Sequence, residues 1–355
     1  MAKLLTVLPE NYNELAGFLL ENEGWPYSKD FSLKGFQVWW DENPAFSGNM
    51  ERGWILRDKQ KIVGFMGLIP SPFQIFGKEI VVINATTWFV HPEYRSESLQ
   101  FLIKSINYAK DSIYFVTTPS DRVVEILKKL RFHSIPRSTC KRSFIIIDFE
   151  NVLKAKLGQS ILNKFTAKII SPFLAITQSI RLKKTTLEEI NRVKRIRKAD
   201  STFDDLWEKT KHVFPTTNIR NAETINWCCF NSNQNEKVVF GYYLNGQLLG
   251  YVIFKDPRLK SMNILECSDL WVFPDASQAT HALINAAYNY GLEKKYDCIL
   301  FPHFNLKLES AFNKVGLFSM EDKNCNEYFK IKPEWFEKIN DSNSYFVIQG
   351  DRAIL

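Results

Sequence analysis

The segment 91–100 reads HPEYRSESLQ and joins an arginine to the start of a predicted helix. A run of strand-forming residues precedes it and ends in Phe89 and Val90. The first N–H groups of a helix have no partner within the helix, and the helix dipole makes this end attract anions. Arg95 adds a positive charge at the same point. The pattern predicts an anion site whose N–H groups come from Ser96, Glu97, Ser98, Leu99 and Gln100.

Three titratable side chains in the second half of the chain could move a proton. Glu266 and Asp269 lie on a predicted strand that runs into Pro274. His303 follows the run CILFP, and the ordinary pKa of a histidine lies near neutral pH. Carboxylates and imidazoles are common general bases, so all three are candidate catalytic residues. The structural alternatives stay open: a carboxylate that caps or orients a neighbouring element, and a histidine that only packs in a loop.

The run VHPEYR resembles motif A of the GNAT acyltransferase family, where a strand leads into a loop and helix start that bind the pyrophosphate of acetyl-CoA. The family pattern has Arg or Gln, two residues, Gly, one residue, and then Gly or Ala. Arg95 matches this pattern, while Ser98 and Gln100 stand at the glycine positions. The resemblance implies that Phe89, Val90 and the residues from Arg95 to Gln100 bind acetyl-CoA or another acyl-CoA as co-substrate.

The resemblance also bears on the catalytic residues. Many GNAT enzymes keep a carboxylate base near the strand end where Glu266 and Asp269 lie. The family's tyrosine acid falls at Leu127 and Phe312, so neither half carries the complete set of family residues. Ser120 lies at the edge where a GNAT sheet opens, and its hydroxyl could bind the pantetheine arm. The alternative is a turn in which Ser120 caps the next helix.

The elements that would position these residues occur twice. A hairpin with Gly64 in its second strand has a counterpart at Gly250, 186 positions later, and Pro92 has a counterpart in Pro274, 182 positions later. After each proline follow a helix, a strand and a second helix with apolar residues at i, i+3, i+4 and i+7. A near-constant offset predicts an internal repeat. The second copy, VFPDASQATHALI, lacks the arginine and both glycines and resembles a degenerate motif A.

The order of predicted elements in each copy indicates an α/β fold with a mixed sheet. The resemblance implies two tandem GNAT-like domains, at residues 1–148 for the acyl donor and at residues 201–355 for the degenerate copy. Residues 149–200 would form a helical basic connector, in which Pro172 should break or kink a helix.

The excess of positive charge is confined to this connector. The whole chain has 46 Lys and Arg against 39 Asp and Glu, a net charge of +7, and residues 151–187 alone carry seven Lys or Arg and no acidic residue. Such a local excess argues against a general nucleic-acid binder, and we expect no nucleic-acid partner. An apolar face beside these charges predicts peripheral contact with an anionic membrane through residues 151–187. The alternative is a connector helix packed between the domains.

Two further expectations follow from composition. The six cysteines show neither a CxxC pair nor the spacing of a zinc site, so we expect no bound metal. The chain has no apolar run of about eighteen residues, and its start reaches charge and proline too soon for a signal peptide. We therefore expect a cytoplasmic protein that contacts the inner face of the membrane only through the connector.

The leading interpretation is an N-acyltransferase that moves an acyl group from acyl-CoA to an amine. By resemblance, the acceptor is a small molecule or a sugar, such as a precursor of a polysaccharide or glycolipid. One alternative is a Fem-type enzyme, which takes its acyl group from aminoacyl-tRNA. Another is a non-catalytic binding or scaffold protein that retains the fold. Co-purifying CoA would distinguish the leading interpretation from both.

Overall fold

The computed structural model describes residues 2–22, 25–134, 140–157, 161–181, 185–231, 237–256, 262–303, 305–322, 327–339 and 345–346. The first half has seven described strands, which are β1 Lys3–Thr6, β2 Gly53–Asp58, β3 Lys61–Ile75, β4 Lys78–Val90, β5 Tyr114–Val116, β6 His133–Ser134 and β7 Lys141–Ile146. Its described α-helices are α1 Tyr12–Leu20, α2 Lys29–Phe36, α3 Ser98–Tyr108 and α4 Asp121–Lys129.

The connector is helical, as the sequence predicts. It contains α5 Phe149–Leu157, α6 Ile161–Arg181 and α7 Leu187–Asn191. Pro172 lies inside α6, and the helix continues through it instead of breaking. Of the predicted basic residues, Lys183 and Lys184 lie outside the described residues.

The second half repeats the pattern of the first. Its strands are β8 Val193–Ile196, β9 Thr216–Asn218, β10 Val238–Leu244, β11 Gln247–Lys255, β12 Ile264–Val272, β13 Cys298–Pro302, β14 Phe318–Glu321, β15 Tyr328–Lys330 and β16 Tyr345–Phe346. Its helices are α8 Ser201–Thr210, α9 Ala222–Cys229, α10 Ser277–Lys294, α11 Leu306–Val315 and α12 Pro333–Ile339.

Two sheets carry these strands. The first has the order β1-β2-β3-β4-β5-β15-β6, and the short strands β9 and β16 extend it beside β3. The second has the order β14-β7-β13-β12-β11-β10-β8. A parallel pair lies among antiparallel neighbours near the middle of each sheet, β4 with β5 and β12 with β13. The predicted mixed α/β architecture in two copies is confirmed.

The repeat extends to the register of the hairpins. Gly64 pairs with Val90 and Gly250 pairs with Val272, in each case two residues before the proline. Both hairpins carry a β-bulge at the residue that precedes the glycine. In both, the carbonyl of that bulged residue accepts the N–H of the residue before the proline at 2.8 Å. The two copies therefore share their irregularities as well as their order of elements.

The halves exchange strands: β7 of the first half lies in the second sheet, and β15, like β9 and β16, comes from the second half but lies in the first sheet. In β7, Phe144 pairs with Leu300 of β13 on one side and with Phe318 of β14 on the other. In β15, Phe329 pairs with Phe115 of β5, and β6 lies on its opposite side. The predicted first domain, 1–148, thus includes a strand whose hydrogen bonds belong to the second sheet. The predicted boundaries at 148 and 200 stay a prediction.

The aromatic helices of the two halves pack into one shared core. Trp39 and Trp40 are fully buried, and the indole N–H of Trp40 donates to the carbonyl of Leu68 at 2.7 Å. From the second half, the indole N–H of Trp227 donates to the carbonyl of Val38 at 2.7 Å. Buried indoles need such acceptors, and the bond from Trp227 to Val38 joins the two halves.

Candidate functional site

The parallel strands β12 and β13 pair over three residues and then separate. Their ladder runs from Ile264 opposite Cys298 to Glu266 opposite Leu300, whereas β12 continues to Val272. Beyond Leu300, β13 pairs with β7 alone among the described strands. One edge of β12 is thereby left open, with backbone N–H and C=O groups that can bind a ligand.

A cavity of about 540 Å³ lies at this opening. The end of β12, the first turns of α10 and the length of α11 form its walls. Trp271 and Phe214 add an aromatic surface, with ring centroids 5.6 Å apart. Pockets for small molecules and cofactors usually measure about 300–1,000 Å³ and combine apolar walls with a few polar groups. The cavity has the size and composition of a ligand site.

The N-terminus of α10 opens into the cavity and favours an anion. Ser277 begins the helix, no described side chain caps it, and its first turn contains no acidic residue. The unpaired N–H groups of a helix start and the helix dipole both attract negative charge. Lys307 and Lys314 of α11 line the same cavity and add two positive charges. Asp275, the acidic residue just before the helix, is exposed to solvent.

The corresponding junction in the first half differs in charge. Residues Pro92–Glu97 form a 3₁₀ turn, and Glu97 occupies the N-cap of α3. Its carboxylate accepts a hydrogen bond from the side chain of Gln100 at 2.9 Å. A carboxylate at a helix start satisfies the dipole and repels a further anion. Arg95 lies exposed on the turn.

The other residues predicted to bind the donor lie around this junction. Phe89 and Val90 end β4 and are half-buried, whereas Ser96 and Leu99 are exposed. Ser120 occupies the N-cap position of α4, exposed, and its side chain makes no hydrogen bond to a described helix N–H. Donor binding by Phe89, Val90, the residues from Arg95 to Gln100 and Ser120 stays a prediction.

Asp269 belongs to a buried ion pair within the second half, which links β12 of the second sheet to Arg220, just after β9 of the first sheet. Its carboxylate lies 3.0 Å from Nε of Arg220, and both side chains are fully buried. The hydroxyl of Tyr251 donates to the same carboxylate at 2.7 Å. Burial, and then the charge of Asp269, raises the pKa of Tyr251, which keeps the hydroxyl protonated as a donor. These contacts give Asp269 a structural role, and its role as a base stays a prediction.

The other two predicted bases differ in exposure. Glu266 lies at the last rung before β12 and β13 separate, with a side chain 20 % exposed and 4.0 Å from Lys255. His303 is fully buried, and its Nε2 lies 2.8 Å from the hydroxyl of Ser143. Burial lowers the pKa of His303 from 6.5 to about 4, so the ring is neutral at pH 7. Glu266 is therefore the predicted base most accessible to a substrate.

The cavity also involves residues that the sequence reasoning missed. Lys307, Lys314 and His281 all line it. The sequence signal for His281 is its position within the degenerate motif A, VFPDASQATHALI, and the lysines belong to an ordinary amphipathic pattern. Separately, no group of three His, Cys, Asp or Glu side chains in the described part of the chain is arranged to bind a metal.

Two solved structures share the fold of this chain. A GCN5-related N-acetyltransferase from Anabaena variabilis ATCC 29413 matches with a TM-score of 0.57 and 11% identity, over 93% of this chain and 72% of that chain. The N-myristoyltransferase of Saccharomyces cerevisiae, solved with bound myristoyl-CoA and inhibitors, matches with a TM-score of 0.57 and 14% identity, over 97% of this chain and 85% of that chain. This chain has the tandem GNAT-like fold. No protein-family model and no curated protein matches the sequence.

Proposed function

We propose that this protein is an acyl-CoA-dependent N-acyltransferase whose donor binds the cavity in the second half. One observation carries the proposal: the cavity of about 540 Å³ lies where β12 and β13 separate, at the uncapped start of α10. The pyrophosphate of CoA would bind the helix N–H groups, assisted by Lys307 and Lys314. This replaces the first-half junction at Arg95 as the favoured donor site, because Glu97 places a carboxylate at that helix start.

The remaining walls suit the rest of the donor. The open edge of β12 can exchange hydrogen bonds with the amides of the pantetheine arm, and an N–H of that edge can stabilise the developing oxyanion. Trp271 and Phe214 offer apolar surface to an acyl chain. The acceptor amine attacks the thioester carbonyl, the C–N bond forms and the C–S bond breaks. The amine loses a proton and the departing thiolate gains one, which leaves an amide and CoA.

Glu266 is the general base in this proposal. Its side chain is 20 % exposed at the point where the strands separate, whereas Asp269 and His303 are fully buried. A partly exposed carboxylate can take a proton from an ammonium acceptor and return it to solvent. For the acceptor itself, we propose an amine of a sugar or polysaccharide precursor, the class that the family resemblance implies.

A matched pair of blocking variants tests the donor site. Ala311 lines the cavity, and Ile126 occupies the corresponding place in α4, 185 positions earlier. Calorimetric titration with acetyl-CoA and with myristoyl-CoA would compare Ala311→Trp with Ile126→Trp. We expect Ala311→Trp to abolish binding and Ile126→Trp to leave it unchanged, because only the first indole fills the cavity. The melting temperature of each variant confirms that it is folded.

Charge variants test the same site without blocking it. Loss of a charge-assisted phosphate contact costs about 1.5 kcal/mol, or about tenfold in affinity. We expect this loss for Lys314→Ala and none for Arg95→Ala. The opposite result would place the donor at the first-half junction. If the wild type binds no CoA compound, the interpretation as a non-catalytic scaffold protein replaces the interpretation as an enzyme.

A release assay tests the chemistry. Free thiol from acetyl-CoA would be measured with glucosamine and with an amino-terminal peptide as acceptors. We expect release with the amino sugar, lost in Glu266→Gln although the donor still binds. Thiol release with the peptide alone would support the acyltransferase activity and exclude the sugar acceptor.

A further inference from the structure

Helix α6 presents its apolar face to solvent. Ile169, Phe173, Ile176 and Ile180 are 51, 68, 59 and 79 % exposed. At about 100° per residue, these four positions fall within an arc of roughly 60° on one side of the helix. A helix on the surface of a water-soluble protein normally turns its apolar stripe toward the core. Helix α6 does the reverse, so its exposed stripe requires another explanation.

The polar side of α6 attaches the helix to the second sheet. Gln178 is 4 % exposed and lies opposite the apolar stripe. Its amide accepts from the N–H of Ile146 at 2.9 Å and donates to the carbonyl of Ile146 at 2.7 Å. This two-point bond to the end of β7 fixes the rotation of the helix. The outward direction of the stripe is therefore set by a specific contact.

The hydroxyls of α6 are directed back to its own backbone. Thr177 donates to the carbonyl of Phe173 at 2.8 Å, and Ser179 donates to the carbonyl of Ala175 at 2.9 Å. Each hydroxyl donor thus has its acceptor within the helix. The surface around the apolar stripe is less polar than its composition suggests.

We propose that α6 binds the surface of an anionic lipid membrane, with its apolar stripe in the headgroup region. The charge of the connector favours this partner over a second copy of the chain: residues 151–187 carry seven Lys or Arg and no acidic residue. Two such segments would repel each other, whereas an anionic leaflet attracts them at about 1 kcal/mol per basic residue. An apolar face combined with a basic surround is the usual pattern of interfacial helices.

The helix lies on the membrane and does not cross it. None of the described helices is long and apolar enough to span a bilayer. The orientation agrees with this, since Gln178 keeps the opposite side of α6 on the protein. Binding by insertion of one face depends on both apolar contact and charge, and each can be varied separately.

Vesicle sedimentation of the full-length protein tests the proposal. The vesicles are phosphatidylcholine alone or phosphatidylcholine mixed with phosphatidylglycerol, at low and high salt. The test variant is Phe173→Glu combined with Ile180→Glu. Its control is Ile103→Glu combined with Leu20→Glu, at positions 45 and 53 % exposed outside the connector. All four substituted side chains are exposed, so we expect both variants to keep the wild-type melting temperature.

We expect the wild type and the control to sediment with the anionic vesicles and to be released by salt. The test variant should bind more than about tenfold more weakly, because Phe173 and Ile180 can no longer bury apolar side chains in the headgroup region. Equal sedimentation of test variant and control, or binding independent of lipid charge, overturns the proposal. The proposal is also overturned if the wild type does not bind vesicles but forms a dimer and the test variant is a monomer. A second copy of the chain then covers the stripe.

Discussion

Removal of the charge on Asp269 provides the sharpest test of the buried ion pair that links β12 to Arg220, just after β9. Asp269→Asn keeps the size of the side chain but leaves the guanidinium of Arg220 without its carboxylate. Arg220 has other partners, the hydroxyl of Thr217 at 2.9 Å and the carbonyl of Asn218 at 2.6 Å, and these fix its position in the interior. The cation cannot move to solvent without breaking them.

The size of the effect follows from burial. Both side chains of the pair are fully buried, and removal of one partner of a buried pair costs about 3–5 kcal/mol. The entropy of unfolding is about 2.1 cal/mol/K per residue, or about 0.75 kcal/mol/K for 355 residues. We therefore expect the melting temperature of Asp269→Asn to fall by about 4–7 °C in calorimetry.

An exposed ion pair of the same length serves as the control. Asp111 lies 2.9 Å from Lys332, but its side chain is 74 % exposed. Exposed pairs contribute little, so Asp111→Asn should leave the melting temperature nearly unchanged. Equal shifts in the two variants would refute the argument from burial. Lost activity in Asp269→Asn without a lower melting temperature would instead support Asp269 as the base.

Two further predictions concern stability. Burial lowers the pKa of His303 to about 4, so between about pH 4 and 6.5 the unfolded chain binds a proton that the folded chain does not. The contribution of His303 to the free energy of unfolding is fully present above pH 6.5 and decreases as the pH falls toward 4. His303→Gln should therefore flatten this part of a profile of melting temperature against pH. An unchanged slope contradicts the assignment. A Cβ on Gly250 would lie 3.0 Å from the carbonyl oxygen of Trp271, whereas on Gly64 its nearest neighbour, the Cβ of Leu56, is 3.2 Å away. Gly250→Ala should therefore lower the midpoint of urea unfolding more than Gly64→Ala, and the reverse order would show that backbone crowding does not decide the cost.

The repeat could be predicted because its landmarks are local. Gly64 and Gly250 are needed where a strand passes a crowded neighbour, and such requirements appear directly in the sequence. Strand neighbours are not local in this sense. A run such as KRSFII predicts a strand, but nothing in its alternation says that β7 pairs with β13 of the other half.

The candidate site divides in the same way. Arg95 matches a motif, yet only the structure shows that α3 begins at Ser98 and puts Glu97 at its N-cap position. Asp269 was recognised as a carboxylate near a strand end, but its partner Arg220 is 49 positions away and follows no motif. An opening in the sheet follows from the resemblance, but the residues that line the cavity depend on where β12 and β13 separate and on how α11 packs, which the sequence does not show.

The exchange of strands between the sheets affects the order in which the chain can fold. Tyr328 of β15 pairs with Val116 of β5, 212 positions earlier, and β15 fills the place between β5 and β6. During synthesis the first half leaves the ribosome with that place empty and with β7 lacking both of its neighbours. Contacts this distant in sequence form slowly, and unpaired strand edges favour aggregation. The second sheet lacks a strand until translation has passed Glu321 of β14, and the first sheet lacks one until it has passed Lys330 of β15, so the two halves, although they are copies of one unit, complete their sheets late and almost together.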